Sequence, residues 1–118
     1  MSEQETLTVA AGATEETAVI DVQGDQTLVG RVKGDVNSDD LDIVPVVQFT
    51  SSQESGPLSN PRTHNQDDPP AGIENWDISD GEDRYVQFGL VNGFVRAGFR
   101  VVNNGAEETT VEVEFKGV

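Results

Sequence analysis

Apolar residues recur at every second position along much of this chain. In TTVEVEFK, residues 109–116, Val111, Val113 and Phe115 fall on one side and Glu112, Glu114 and Lys116 on the other. Side chains alternate across a strand, so this run predicts a half-buried antiparallel strand. FVRAGFRVV, residues 94–102, puts Val95, Ala97, Phe99 and Val101 on one face and Arg96 and Arg100 on the opposite one. NNGAEE lies between them, and its Asn and Gly tolerate positive φ, so the two runs are expected to pair as a hairpin. RYVQFGLV, residues 84–91, is a further strand that leads in through Asn92-Gly93.

The first half repeats this logic. TLTVA (residues 6–10) alternates and GATEE turns; TAVIDV (17–22) directs Ala18, Ile20 and Val22 inward; Gln23-Gly24-Asp25 turns again. TLVGRVKG (27–34) follows with Leu28 and Val32 on one face, then IVPVVQFT (43–50). Pro45 has no N–H to give to a ladder, which places it on an edge strand or at a bulge. Seven short strands with regular turns predict an all-β fold, a single antiparallel β-sandwich of immunoglobulin-like or jelly-roll type spanning residues 1–118.

Residues 51–83 break the rhythm. This polar stretch holds four of the five prolines, the only His (His64) and the only Trp (Trp76). A loop of such length in a compact domain is functional or disordered as a rule. Ile73, Trp76 and Ile78 are its apolar anchors and suggest that its second half docks.

Charge changes the picture more than size does. Asp and Glu number 22 against 7 Lys and Arg, for a net charge of -15, and only Lys33 and Lys116 are lysines. High acidity, scarce lysine and abundant Thr, Val and Gly resemble proteins of extremely halophilic archaea or their viruses. Self-repulsion of this size is screened within a few Å at molar salt. It disfavours nucleic-acid binding, which needs basic patches. No cysteine is present, which excludes disulfides and thiolate chemistry. No apolar run reaches membrane-spanning length. The opening MSEQETLTV has neither a basic nor an apolar leader region, so a signal peptide is not expected.

Two acidic stretches invite a metal. In GDVNSDD, residues 34–40, Asp35, Asn37 and Asp39 have the spacing of the first ligands of a calcium loop. The match then fails, with Asp40 where the motif needs Gly and Val46 where it needs an acid, so an acidic turn is expected. In DISDGED, residues 77–83, Asp77, Asp80, Glu82 and Asp83 offer oxygens, but in no known spacing. His64 has no nucleophile elbow to serve, and no phosphate loop or dinucleotide fingerprint exists. The expectation is a protein that is not an enzyme and carries no cofactor. The interface candidates are Trp76, Ile73, Ile78, Arg62, Arg96 and Arg100. The last two are also placed to pair with Glu112 and Glu114 across the expected hairpin.

The opening TLTVAAGAT and TAVIDV, with the closing FRVVNNGAEETTVEVEF, resemble small β-sandwich structural proteins of haloarchaeal viruses, of capsid decoration or turret type. The resemblance covers both ends, leaves residues 51–83 unmatched and transfers no functional residue. It implies a virion subunit that packs with copies of itself, as a trimer or pentamer, and with other capsid proteins. The charge and the lack of a long apolar run add the expectation of no nucleic acid and no membrane as partner. The other readings are an extracellular module that grips a carbohydrate or protein through the loop around Trp76, and an enzyme accessory domain.

Overall fold

Strands form in every predicted run, though over only Ile20–Asp21 of residues 17–22, and their partners are not the neighbours that the turns suggest. The computed structural model describes residues 2–50, 52–58, 72–89, 91 and 93–118. Among these it has ten strands: β1 (Ser2–Val9), β2 (Thr14–Glu16), β3 (Ile20–Asp21), β4 (Thr27–Lys33), β5 (Leu41–Gln48), β6 (Gly56–Pro57), β7 (Ile73–Trp76), β8 (Arg84–Gly89), β9 (Arg96–Asn103) and β10 (Thr109–Gly117). One sheet runs β1-β10-β4-β8. In the other, β9 and β5 lie side by side, with β2 and β3 along the free edge of β9 and β6 and β7 along that of β5. All ladders are antiparallel.

The pairing is nested: β1 with β10, β2 and β3 with β9, β4 with β8, β5 with β6 and β7. This is the double Greek-key arrangement of a jelly roll. Its consequence is that the links β1–β2, β3–β4, β4–β5, β7–β8, β8–β9 and β9–β10 all cross between sheets. The expected hairpin of residues 94–116 is therefore corrected: β9 and β10 stand in opposite sheets, and the intervening Asn-Gly segment turns a corner. Asn103 builds that corner. It is fully buried, donates to Val9 O (3.0 Å) and Glu107 O (2.7 Å), and accepts from Gly105 N (2.9 Å).

The inward rows are those the alternation assigns: Leu7 and Val9, Leu28 and Val32, Ala97, Phe99 and Val101, and Val111, Val113 and Phe115 are all buried in one core. Phe99 crosses from its own sheet to meet Phe88 at 5.6 Å and Phe115, edge-on, at 5.2 Å between ring centroids. Such tilted contacts add to the area that aromatic rings bury. Gly30 makes room for this ring, since a Cβ there would lie 3.1 Å from Phe99 Cζ.

Three local expectations change. Ala18 is exposed, and GATEE contains the short strand β2. Pro45 does not lie on an edge strand, because β5 has neighbours on both sides. Phe99, its partner on β9, exchanges hydrogen bonds with Thr17 on the far side (Thr17 N to Phe99 O, 2.9 Å; Phe99 N to Thr17 Oγ1, 3.0 Å). The missing N–H of Pro45 thus faces the outer ladder, between the β7 pairing at Ile43 and the β6 pairing at Val46. A proline is tolerated where no ladder donor is required. Residues 51–83 also contribute structure, as β6 and β7 extend the β5 sheet and Leu58 N donates to Pro45 O (2.9 Å).

Candidate functional site

Residues 34–40 carry β4 over to β5, and Asp35 turns back into the protein. Its Oδ1 accepts from Asn37 N (2.9 Å) and Thr109 Oγ1 (2.9 Å), and its Oδ2 accepts from Thr110 N (2.9 Å). Ser38 and Thr109 are fully buried, and with the Thr109 proton given to Asp35 the Ser38 hydroxyl donates to Thr109 Oγ1. Asn37 Nδ2 reaches Glu108 O (3.2 Å). The loop is therefore stapled to the start of β10. Burial opposes ionisation of Asp35, but the N–H groups of Asn37 and Thr110 and the Thr109 hydroxyl, which Ser38 supports, outweigh it and hold the carboxyl below the usual aspartate range. A carboxylate with these protein donors is a structural acceptor. Asp39 is exposed.

Residues 77–83 lie beside this loop, tied to it by Ile78 N donating to Ser38 O (2.8 Å). Asp77 accepts from the Ser79 hydroxyl (2.6 Å) and N–H (3.0 Å), which lowers its pKa. Asp80 accepts from Glu82 N (3.0 Å) and pairs with Arg84, which also reaches Glu82 (3.3 Å). Asp83 pairs with Arg31 at 2.8 Å. Among the described residues, no group of three or more His, Asp or Glu side chains is placed to hold a metal ion.

The interface candidates separate. Ile78 is fully buried in the core, so the structure removes it as an interface residue: the chain around it anchors the loop instead. Ile73 and Trp76 are half-buried and pack against the same core. Arg100 pairs with Glu16 of β2 at 2.7 Å, and Glu112 and Glu114 are out of its reach on the opposite sheet. Arg96 is exposed. Arg62 and His64 lie outside the described residues.

A surface that the sequence did not single out is the outer face of the β1-β10-β4-β8 sheet. Cross-strand register sets Gln4, Glu114, Arg31 and Tyr85 in one row and Ser2, Lys116, Val29 and Gln87 in the next. A groove of about 570 Å³ lies over these rows, floored by the backbone of β4, β8 and β10. Tyr85 stands in it 76% exposed. Arg31 is held by Asp83 and by Glu114 (3.5 Å).

The sequence matches no protein-family model, and no curated protein is similar to it in sequence. Solved structures do share the fold. PirA superposes with a TM-score of 0.57 at 12% identity, over 96% of this chain and 93% of its own. The Yersinia pseudotuberculosis-derived mitogen gives 0.56 at 10%, over 98% and 85%. The SPBc2 prophage-derived protein YomS gives 0.51 at 18%, over 98% and 94%. At these identities the likeness is one of fold.

Proposed function

We propose that this chain is a non-catalytic structural subunit of a virion from a high-salt environment, acting by packing against copies of itself and other capsid proteins. The observation that carries the non-catalytic part is Asp35. The residue nearest to a ligand motif is occupied by three donors of its own chain and serves the architecture. The second acidic stretch is likewise engaged with Ser79, Arg84 and Arg31. The net charge of -15 with two lysines supports the high-salt setting. Jelly rolls build viral capsid and lectin domains alike, so the fold by itself does not choose between them.

The packing contacts would lie at sheet edges. Among the described residues, β1 pairs along its eight residues with β10 alone. Its inward row carries Glu3 and Glu5, and Glu5 accepts from Ala18 N (2.6 Å), which closes the sandwich beside that strand. The test is the molar mass in molar NaCl, by light scattering behind a sizing column. A discrete closed oligomer is expected. A monomer at every salt and protein concentration overturns the reading.

A further inference from the structure

We propose that the groove on the outer face of the β1-β10-β4-β8 sheet binds a neutral oligosaccharide, with Tyr85 as the stacking platform. This goes beyond the structural role above and does not depend on the oligomeric state.

Three observations converge. The first is the ring. Tyr85 is 76% exposed on a regular strand, although Val86 and Phe88 beside it turn into the core. An amphipathic aromatic left standing over a groove suits a ligand with one apolar face and polar edges. The second is the lining. Gln87 stands beside Tyr85 on the same face of β8, and Lys116 and Ser2 follow it in the same cross-strand row on β10 and β1, so amide, ammonium and hydroxyl groups line the groove beyond the ring. The volume, about 570 Å³, lies in the range of small-molecule sites.

The third is charge. Arg31 and Lys116 in the lining are balanced by Glu114 and by Asp83, which Arg31 engages, so the groove has no net charge with which to hold an ion. An anion is also repelled by the net charge of -15. A ligand without charge needs no ionic partner. Arg31 is also locked by Asp83 and Glu114, so its N–H groups are pre-set to hydrogen-bond without bringing an unpaired charge. At molar salt, where ionic attraction is screened within a few Å, stacking and hydrogen bonding still operate. A sugar ring offers a C–H face to Tyr85 and hydroxyls to the polar rim, and an open groove lets a chain of sugars pass across the sheet.

The experiment is titration of the full chain in molar NaCl with the neutral hexasaccharides cellohexaose, laminarihexaose and chitohexaose, followed by amide-resolved NMR. An oligogalacturonate serves as the acidic arm. At least one neutral sugar is expected to bind with shifts centred on residues 29–31, 85–87 and 114–116. Tyr85→Ala should weaken it about tenfold or more, and Tyr85→Phe should retain it. Thermal melts should be alike for all three proteins, because the ring lies outside the core. Absence of binding by every neutral sugar at millimolar concentration overturns the proposal. So does binding that survives Tyr85→Ala, or tighter binding of the acidic oligomer that falls with added salt.

Discussion

Residues 34–40 and 77–83 are two acidic loops of similar composition, joined side by side. Both carry the chain between sheets, and one hydrogen bond, Ile78 N to Ser38 O, joins them. They use their carboxylates in opposite ways. Asp35 points inward to the buried Thr109 hydroxyl and to the backbone of β10, so its charge is met by fixed dipoles. Asp80, Glu82 and Asp83 point outward to arginines at the surface. Fixed dipoles in a partly desolvated place give a strong, geometry-specific hold, whereas exposed ion pairs contribute little and are screened by salt. The lesson is that the direction of an aspartate, and not the density of aspartates, decides whether a loop is architecture or surface charge.

The contrast can be broken by substitution. Asp35→Ala strands the Asn37 and Thr110 N–H groups and the Thr109 hydroxyl, and should cost about 3 kcal/mol of stability, a fall in Tm of roughly 10 °C or more. A melt in molar NaCl within a few degrees of the parent protein would place Asp35 with the surface carboxylates after all. Gly34→Ala attacks the same turn sterically. The added Cβ would sit inside the Ser38 side chain and 2.9 Å from Ile78 Cγ1, at a cost of about 2 kcal/mol read from urea midpoints. Thr109→Val keeps the shape and removes one donor to Asp35, for about 1 kcal/mol by the same assay.

Acid sharpens the comparison. The folded carboxyl of Asp35 lies below its ordinary value of 3.8. Its contribution is therefore complete above that pH and is lost as pH falls through the lower folded value. The gap in Tm between the parent and Asp35→Asn should hold from neutrality to about pH 4 and close below it. A constant gap down to pH 2 would separate the charge from the effect. The smallest change is expected from Arg84→Ala, which undoes the pairs with Asp80 and Glu82. In molar NaCl its melt should be indistinguishable from the parent's, and a destabilisation that grows as salt is removed is the only trace it should leave.

The sequence made the faces of the strands legible and their partners illegible. Val111, Val113 and Phe115 announce their burial because alternation is a property of one strand. Whether β9 pairs with β10 depends on how both sheets close, and the Asn-Gly segment between them suits a corner as well as a hairpin. Residues 51–83 hid β6 and β7, since Gly56–Pro57 and an IENW run carry almost no alternation. Asp35 was singled out for a spacing that also describes a side chain bonding to the N–H two residues on, a common turn device. The groove had no signal at all. Ser2, Val29, Tyr85 and Lys116 are far apart in the chain and are neighbours only through the register of four strands.

The place of β10 has a consequence for how the protein is made. It lies between β1 and β4, and the first residues of β1 are in register with its last ones, Ser2 opposite Lys116. While the chain emerges from the ribosome, the first sheet is therefore missing one of its two inner strands until β10 has left the exit tunnel. Leu7, Val9, Leu28 and Val32 wait unburied on either side of that gap. Completion comes as a single late insertion, and a nascent chain arrested before β10 should remain open to protease along β1, while one extended past it should become resistant. Strong negative charge, which keeps such half-made chains apart, is then useful before the protein has a fold as well as after.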